Sequence, residues 1–358
     1  MTGNTIRIGI LGASGYTGAE LLRLLLRHPA AEIRLLTAER QAGKDIAEVF
    51  PQFAGPQLTG PQLTGQGLPR LVKIGEADFS ALDMVFCALP HGTTQEVVAA
   101  LPAGLKVVDL SADFRLADTA TYAQWYGRAH QAPELQKQAV YGLSELAREA
   151  VRTARLVANP GCYPTPCQLA LVPLIEAGAI DTGQIVIDAK SGVTGAGRAP
   201  KESSLYAEVG EGIHAYALAG HRHAPEIEQG LSAAAGRPVT VNFTPHLMPM
   251  NRGILETIYV KLADGGDAGG LRQILDRRYA GEPFVTVLPE GVAPATRHVR
   301  GTNLCQLAVF PDRRPGHAVL VGVEDNLVKG ASGQAVQNMN LMTEQPETAG
   351  LDQLALFP

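Results

Sequence analysis

Cysteine, tryptophan and charge are all scarce in this sequence. Of 358 residues, four are cysteine, one is tryptophan and 18% are Asp, Glu, Lys or Arg. Four cysteines in a chain this long make no disulfide framework, and no CxxC pair marks a zinc site. No apolar run approaches the roughly 18–20 residues that span a bilayer. The opening MTGNTIRIGI lacks the basic, apolar, small-residue order of a secretory signal. A net charge of −5 with dispersed Lys and Arg lacks the dense positive charge that nucleic acid or an anionic membrane demands. The protein expected is cytoplasmic, with neither nucleic acid nor membrane as partner and, at roughly 100–200 residues per domain, about two domains.

The first half alternates short apolar runs with helical patterns, the rhythm of a parallel sheet wound by helices. Ile6–Leu11 reads as a strand. Residues 17–28 read as a helix whose Leu21/Leu25 and Leu22/Leu26 pairs share a face at i,i+4. Strands are predicted at 32–37, 84–89, 107–110 and 156–159, with helices at 93–101 and 144–154. Beyond Asn159 come a helix at 165–177 and strands at 184–189, 239–244, 254–262, 304–310 and 318–323, which predict a mixed or antiparallel sheet. A last helix at 331–342 is placed to return to the first domain. The fold class expected is α/β: a doubly wound Rossmann-type nucleotide domain over 1–158 and 326–358, plus an α+β catalytic and oligomerisation domain with a mixed sheet over 159–325. Within the first domain GPQLT occurs twice in tandem, at 55–59 and 60–64. It reads as a lengthened surface loop and is assigned no function.

The stretch GILGASGYTGAELLRLL sets Gly12, Gly15 and Gly18 between the first strand and the first helix. Glycine is wanted there because the chain must turn tightly and let bare N–H groups approach a pyrophosphate, while the helix N-terminus adds about half a positive charge. The spacing is GxxGxxG, not the commoner GxGxxG fingerprint, so a purely structural tight turn is the competing reading. Which dinucleotide fits depends on the end of the second strand, where an acid suits the NAD ribose and cations suit the NADP 2′-phosphate. Here Thr37 ends the strand and Arg40 and Lys44 follow, with Glu39 as the discordant residue. If Glu39 points away, the cofactor is NADP(H).

The cysteines are not equivalent. Cys87, Cys167 and Cys305 lie in apolar runs and read as core. Cys162 lies in ANPGCYPTP, a Pro/Gly turn between a strand and a helix N-terminus, where a thiolate is exposed and stabilised by helix-end N–H groups; a small turn residue is the alternative. A cysteine nucleophile beside a nicotinamide site points to aldehyde–acyl interconversion through a thioester. That chemistry needs a proton-transferring group. Histidine suits it, and AGHRHAPEI offers His221 and His223, which on an extended segment would face one side. No third ligand accompanies this HxH, so no metal is assigned.

Taken together, GASGYTGAELLRLL, SADFRL, NPGCYPT, GHRHAPEI, NRGI and DNLVKGASGQAVQNMN occur in an order that resembles the N-acetyl-gamma-glutamyl-phosphate reductases of the long-chain, type 1 form, from about Ile6 onward. The resemblance implies an NADPH-dependent oxidoreductase of arginine biosynthesis that reduces N-acetyl-L-glutamyl 5-phosphate to the 5-semialdehyde and releases inorganic phosphate. It implies Cys162 as nucleophile and His221 as acid/base, with His223 its companion. Gly12, Ser14, Gly15, Tyr16, Thr17 and Gly18 would surround the pyrophosphate, and Asn326 would reach the nicotinamide side. Arg115, Ser191 and Gly192 would meet the substrate's phosphate or carboxylate, with cap and loop-shaping duties as the alternatives. A homo-oligomer, dimer or tetramer, is expected by analogy. The rival readings are a carrier-linked aminoadipate 6-phosphate reductase of lysine synthesis, a more distant aspartate-semialdehyde dehydrogenase and, from another class, a non-catalytic NADP-binding sensor.

Overall fold

The computed structural model describes residues 5–54 and 67–357, so the tandem GPQLT lies outside the described residues. The chain divides into two units, Met1–Pro160 with Ala331–Asp352, and Gly161–Gly330 with Gln353–Pro358.

The first unit runs β1 (Ile6–Leu11), α1 (Tyr16–Leu25), β2 (Ala31–Thr37), α2 (Ile46–Val49), β3 (Leu71–Val72), β4 (Met84–Cys87), α3 (Thr94–Ala100) and β5 (Lys106–Asp109). It continues through α4 (Thr119–Tyr126), α5 (Pro133–Gln136), β6 (Val140–Tyr141), α6 (Ser144–Thr153) and β7 (Leu156–Ala158). All seven strands are parallel, in the order β3-β2-β1-β4-β5-β7-β6. β1 is buried at every position but Arg7 and β4 at all four, the continuous apolar run of strands covered on both faces. The strand order reverses between β1 and β4. In open α/β sheets the crevice beyond the strand ends at such a reversal is where ligands bind.

The second unit runs α7 (Pro164–Glu176), β8 (Ile180–Gly192), α8 (Tyr206–Val209), β9 (His214–Ala215), α9 (Ala224–Ala235), β10 (Asn242–Met248) and β11 (Ile254–Leu262). Then come α10 (Ala268–Arg278), β12 (Val285–Val287), β13 (Cys305–Pro311) and β14 (His317–Glu324). Its sheet is mixed, in the order β12-β13-β14-β11-β8-β10-β9, with β10–β8 and β12–β13 parallel and the other pairs antiparallel. β11 alternates buried and less buried positions because one face alone packs on helices. The chain re-enters the first unit with α11 (Gly333–Met342), every residue of which is buried.

Most predicted boundaries shift by one to three residues, as at α1, which ends at Leu25, not at 28; three differences have a visible cause. β10 starts at Asn242, not Val239, because Val239 N–H donates to Ser232 Oγ (2.9 Å) and Val241 N–H to Glu228 Oε1 (3.2 Å), both on α9. β8 extends from Ile180 to Gly192 because β10 and β11 pair along both its edges. A π-type turn at Val328–Ser332 delays α11 to Gly333.

Candidate active site

In the first unit the glycine loop is held from behind by Thr37, which is fully buried. Gly12 N–H donates to the Thr37 carbonyl (3.1 Å) and hydroxyl (3.2 Å), and Ala13 N–H to the same carbonyl (2.9 Å). Gly12 has φ +87°, and a Cβ there would lie 2.4 Å from the Ala88 carbonyl oxygen; one on Gly18 would lie 2.6 Å from Ala13 Cα. Packing alone therefore demands both glycines. Gly15 is different: its φ is −86°, and the nearest atom to an added Cβ is 3.6 Å away. Gly15 caps α1 with no side chain bonded over it and no acid in the first turn, where Tyr16 and Thr17 sit. Ser14 is half-buried. An anion can approach this helix end.

Arg40 and Lys44 are exposed beyond β2, whereas Glu39 Oε1 accepts the Ile74 N–H (3.1 Å) and so points to that turn. Arg115 is buried; its Nε donates to Asn159 O (2.8 Å) and its Nη2 to Leu110 O (2.9 Å), joining the ends of β7 and β5.

In the second unit Cys162 is half-buried, whereas Cys87, Cys167 and Cys305 are buried. Cys162 stands in the turn that opens α7, whose first turn carries Pro164. Gly161 N–H donates to the buried Glu226 Oε1 at 2.7 Å, which pins this turn to α9. The next residue, Tyr163, is buried with its hydroxyl 2.9 Å from that of Tyr216. Burial, then Tyr216, pushes the Tyr163 hydroxyl up; burial pushes Tyr216 up to about 12.

His221 and His223 do approach each other, with ring centroids 4.9 Å apart, but not on an extended segment. They occupy a turn that leads into α9, with His223 as its cap residue in helical geometry. His223 N–H donates to His221 Nδ1 (3.1 Å). A neutral His221 therefore carries its proton on Nε2, the nitrogen left to meet a substrate. Tyr163, Tyr216 and Phe243 surround its ring edge-on at 5.5, 5.5 and 5.4 Å. That cage removes water, and burial, aided by the Arg222 charge, lowers His221 to about 4.

Ser191 and Gly192 end β8. Ser191 Oγ donates to Gly192 O (3.0 Å), and a Cβ on Gly192 would meet Arg252 N at 2.8 Å, so glycine there admits the Asn251–Arg252 backbone. Asn326 joins this loop: its Oδ1 accepts from Gly253 N–H (2.8 Å) and its Nδ2 donates to Thr194 Oγ1 (3.0 Å). Arg252 lies 3.4 Å from the buried Asp325. Sequence reasoning missed Tyr216, Phe243, Glu226, Arg252 and Asp325. Glu226, Arg252 and Asp325 carried a signal, since they lie within GHRHAPEI, NRGI and DNLVKG; Tyr216 and Phe243 carried none.

Among the described residues no helix is long and apolar enough to cross a membrane, and no group of three or more His, Cys, Asp or Glu could hold a metal ion. Residues 7–154 match the family model described as semialdehyde dehydrogenase, NAD binding domain, and residues 162–326 match semialdehyde dehydrogenase, dimerisation domain. The N-acetyl-gamma-glutamyl-phosphate reductase of Rhodospirillum rubrum is 60% identical over 358 residues, with 99% of both chains covered. The probable chloroplastic N-acetyl-gamma-glutamyl-phosphate reductase of Arabidopsis thaliana is 58% identical over 353 residues, covering 99% of this chain and 86% of that one. Aspartate semialdehyde dehydrogenase II from Vibrio cholerae, complexed with ASA, has TM-score 0.70 at 19% identity over 95% of this chain and 99% of that one. Aspartate semialdehyde dehydrogenase with NADP from Candida albicans has TM-score 0.69 at 17% identity over 97% of this chain and 99% of the other. The two solved structures speak for the fold, both family models make the chain a semialdehyde dehydrogenase in the broad sense, and the full-length identities place this oxidoreductase in the N-acetyl-gamma-glutamyl-phosphate reductase family.

Proposed function

We propose that the protein reduces N-acetyl-L-glutamyl 5-phosphate to N-acetyl-L-glutamate 5-semialdehyde with NADPH, through a thioester on Cys162, as a step of arginine biosynthesis. The observation that carries this reading is Cys162, the one half-buried thiol of four, at the N-terminus of α7 in a turn whose Tyr163 packs against the neutral His221. The names of its full-length relatives supply the substrate. The first unit is the nucleotide domain and the second the catalytic one. Gly12, Ser14, Gly15, Tyr16, Thr17 and Gly18 hold the pyrophosphate, Arg40 and Lys44 the 2′-phosphate, and Asn326 the nicotinamide side. With Gly15 open and Glu39 turned to Ile74, these residues fit NADP. When bound, the cofactor supplies the hydride.

The Cys162 sulfur attacks the acyl carbon, the carbon–oxygen bond to phosphate breaks, and the thiol proton leaves with the phosphate. The thioester oxygen gathers negative charge during reduction, and His221 Nε2–H donates a hydrogen bond to it. Proton transfer through His221 then lets the carbon–sulfur bond break, which frees the aldehyde and returns Cys162 to a thiol. Ser191, Gly192 and His223 line the substrate side. Arg115 is the candidate cation for the substrate's phosphate or carboxylate.

The assay follows NADPH formation from N-acetylglutamate 5-semialdehyde and NADP, with and without phosphate. Wild type should turn over only with phosphate, and Cys162→Ala should lose at least about 10³-fold. A silent wild type overturns the substrate and turns attention to the carrier-linked aminoadipate; a mutant that keeps its rate overturns the thioester. Replacing NADP by NAD in the same assay should cost most of the rate, and equal rates would exclude a 2′-phosphate site.

The second unit is also read as a dimer surface, in keeping with the family model it matches. Val186 and Tyr259, register partners on β8 and β11, are both exposed. Sedimentation showing monomer alone would overturn this.

A further inference from the structure

Beyond the end of β4 the first unit devotes several buried groups to holding one exposed imidazole. β4 pairs with β1 on one side and β5 on the other, and the pairing continues past the strand ends: Ala88 N–H donates to Leu11 O (2.8 Å) and Leu110 N–H to Cys87 O (2.9 Å). A Cβ on Gly12 would collide with Ala88 O and lie 3.3 Å from Leu89 Cδ2, so the chain leaving β4 starts against the glycine loop. His91 follows and is exposed. Its Nδ1 accepts the Ala112 N–H at 3.2 Å, beyond the end of β5. Its ring stands edge-on to Tyr126 of α4 with centroids 5.9 Å apart, and Tyr126 is stacked on the buried Tyr122 at 4.8 Å.

The loop is clamped at the next residues. Asp113 is fully buried, and its carboxyl group accepts the Gly92 N–H (2.7 and 2.9 Å), the Thr94 N–H (3.0 Å) and the Tyr122 hydroxyl (2.9 Å). Arg128 Nη1 donates to Gly92 O (2.5 Å) and Thr93 Oγ1 to Pro90 O (2.7 Å). Gly92 has φ +82°, and a Cβ there would collide with Arg128 Nη1, so this turn requires glycine. Fixing a surface side chain costs rotamer freedom without the return that burial gives. A neutral imidazole whose Nδ1 accepts carries its proton on Nε2. His91 is thus a pre-oriented donor at the carboxyl ends of β4 and β5, beside the crevice where the strand order reverses.

We propose that His91 is a cofactor-binding residue whose Nε2–H donates to a phosphate oxygen of the NADP(H) diphosphate. This rests on the reading of the glycine loop as the pyrophosphate site. A diphosphate offers more acceptor oxygens than the end of α1 alone can satisfy. The next source of donors is the loop on the neighbouring strand, since paired strands lie only about 4.8 Å apart. A hydrogen bond to an ionised acceptor is roughly twice as strong as one between neutral groups, so one well-held N–H is enough to matter. The Asp113 clamp then has a purpose: it fixes the loop from behind, while the Ala112 N–H and Tyr126 fix the ring.

The test separates the two ring nitrogens. An asparagine amide oxygen can take the place of Nδ1, and a glutamine amide nitrogen that of Nε2. His91→Asn therefore keeps the Ala112 bond and loses the donor, whereas His91→Gln keeps the donor and loses the Ala112 bond. NADPH is titrated into the whole protein by its own fluorescence, without acyl phosphate, and displaced by 2′-AMP, which carries the 2′-phosphate and no diphosphate. His91→Asn should raise the Kd for NADPH about tenfold and leave both the 2′-AMP affinity and the melt unchanged. His91→Gln should stay within about threefold of wild type for NADPH. Wild-type NADPH affinity in His91→Asn overturns the proposal. So does an equal loss for NADPH and 2′-AMP, or a larger NADPH loss in His91→Gln than in His91→Asn, which would make His91 a prop for the loop. A wild type that does not bind NADPH overturns the glycine-loop reading itself, a failure distinct from that of His91.

Discussion

Two strand–turn–helix junctions, Leu11 to Tyr16 and Ala158 to Pro164, are furnished for opposite ends: the first turns through Gly12 at φ +87° to an extended cap, the second reaches its helix through Tyr163 in helical geometry. The first is stripped of side chains. Glycine is required at 12 and 18, where an added Cβ would lie 2.4 and 2.6 Å from backbone, and the helix end carries neither an acid nor a capping side chain, so backbone N–H groups remain for an anion. The second is crowded. Pro164 and Pro166 remove donors from the start of α7, Glu226 takes the Gly161 N–H, and a Cβ on Gly330 would meet both Glu324 and Cys162. The contrast teaches that a helix N-terminus binds charge when bare and presents a single atom when its donors are removed or occupied.

The strongest way to break this contrast is to add one carbon to the bare junction. Gly18→Ala forces a methyl to within 2.6 Å of Ala13 Cα. It should destabilise the protein by about 1–3 kcal/mol and weaken NADPH binding at the same time, as denaturant melts and titration would report. Gly15→Ala meets no such clash. It should leave the melt unchanged and raise the KM for NADPH about tenfold, or about 1.4 kcal/mol, by crowding the anion. Equal melting losses in both variants would show that the loop's glycines serve packing alone.

The crowded junction is probed most gently at Glu256 of β11, which acts on the buried Cys167 of α7. This side chain is fully buried, neither carboxyl oxygen has a hydrogen-bond partner among the described residues, and burial pushes the carboxyl well above its ordinary range. A carboxyl raised by folding keeps a proton that the unfolded chain releases near pH 4.5. Its contribution therefore falls as pH rises from there toward the folded value. Glu256→Gln should remove that slope and stabilise the protein by about 1 kcal/mol near pH 8, with the gain vanishing near the unfolded value. Parallel melting curves of the two proteins at all pH values would place the cost elsewhere.

Local chemistry settled a good part of this protein in the sequence alone. Apolar runs such as Ile6–Leu11 and Met84–Cys87 can be satisfied only inside a covered sheet, and both are parallel strands. A cysteine between Pro160–Gly161 and Pro164 cannot continue a helix or strand, which sets Cys162 apart in the sequence alone. The strand at 239–244 was misplaced because the Val239 and Val241 N–H groups bond to side chains on α9, a tertiary choice that periodicity does not encode. The histidine turn was misread for the same reason, since alternation of His221 and His223 is equally compatible with a turn that opens a helix. The Tyr163–Tyr216 pair, the Asn326–Thr194 bond and the approach of Glu324 to Cys162 join residues 53, 132 and 162 positions apart. The chain itself determined the strand alternation, the glycine loop and the Pro/Gly turn that sets Cys162 apart. Which groups surround that thiol was decided only by tertiary packing, because desolvation and charge act through space and leave no spacing in the sequence to read.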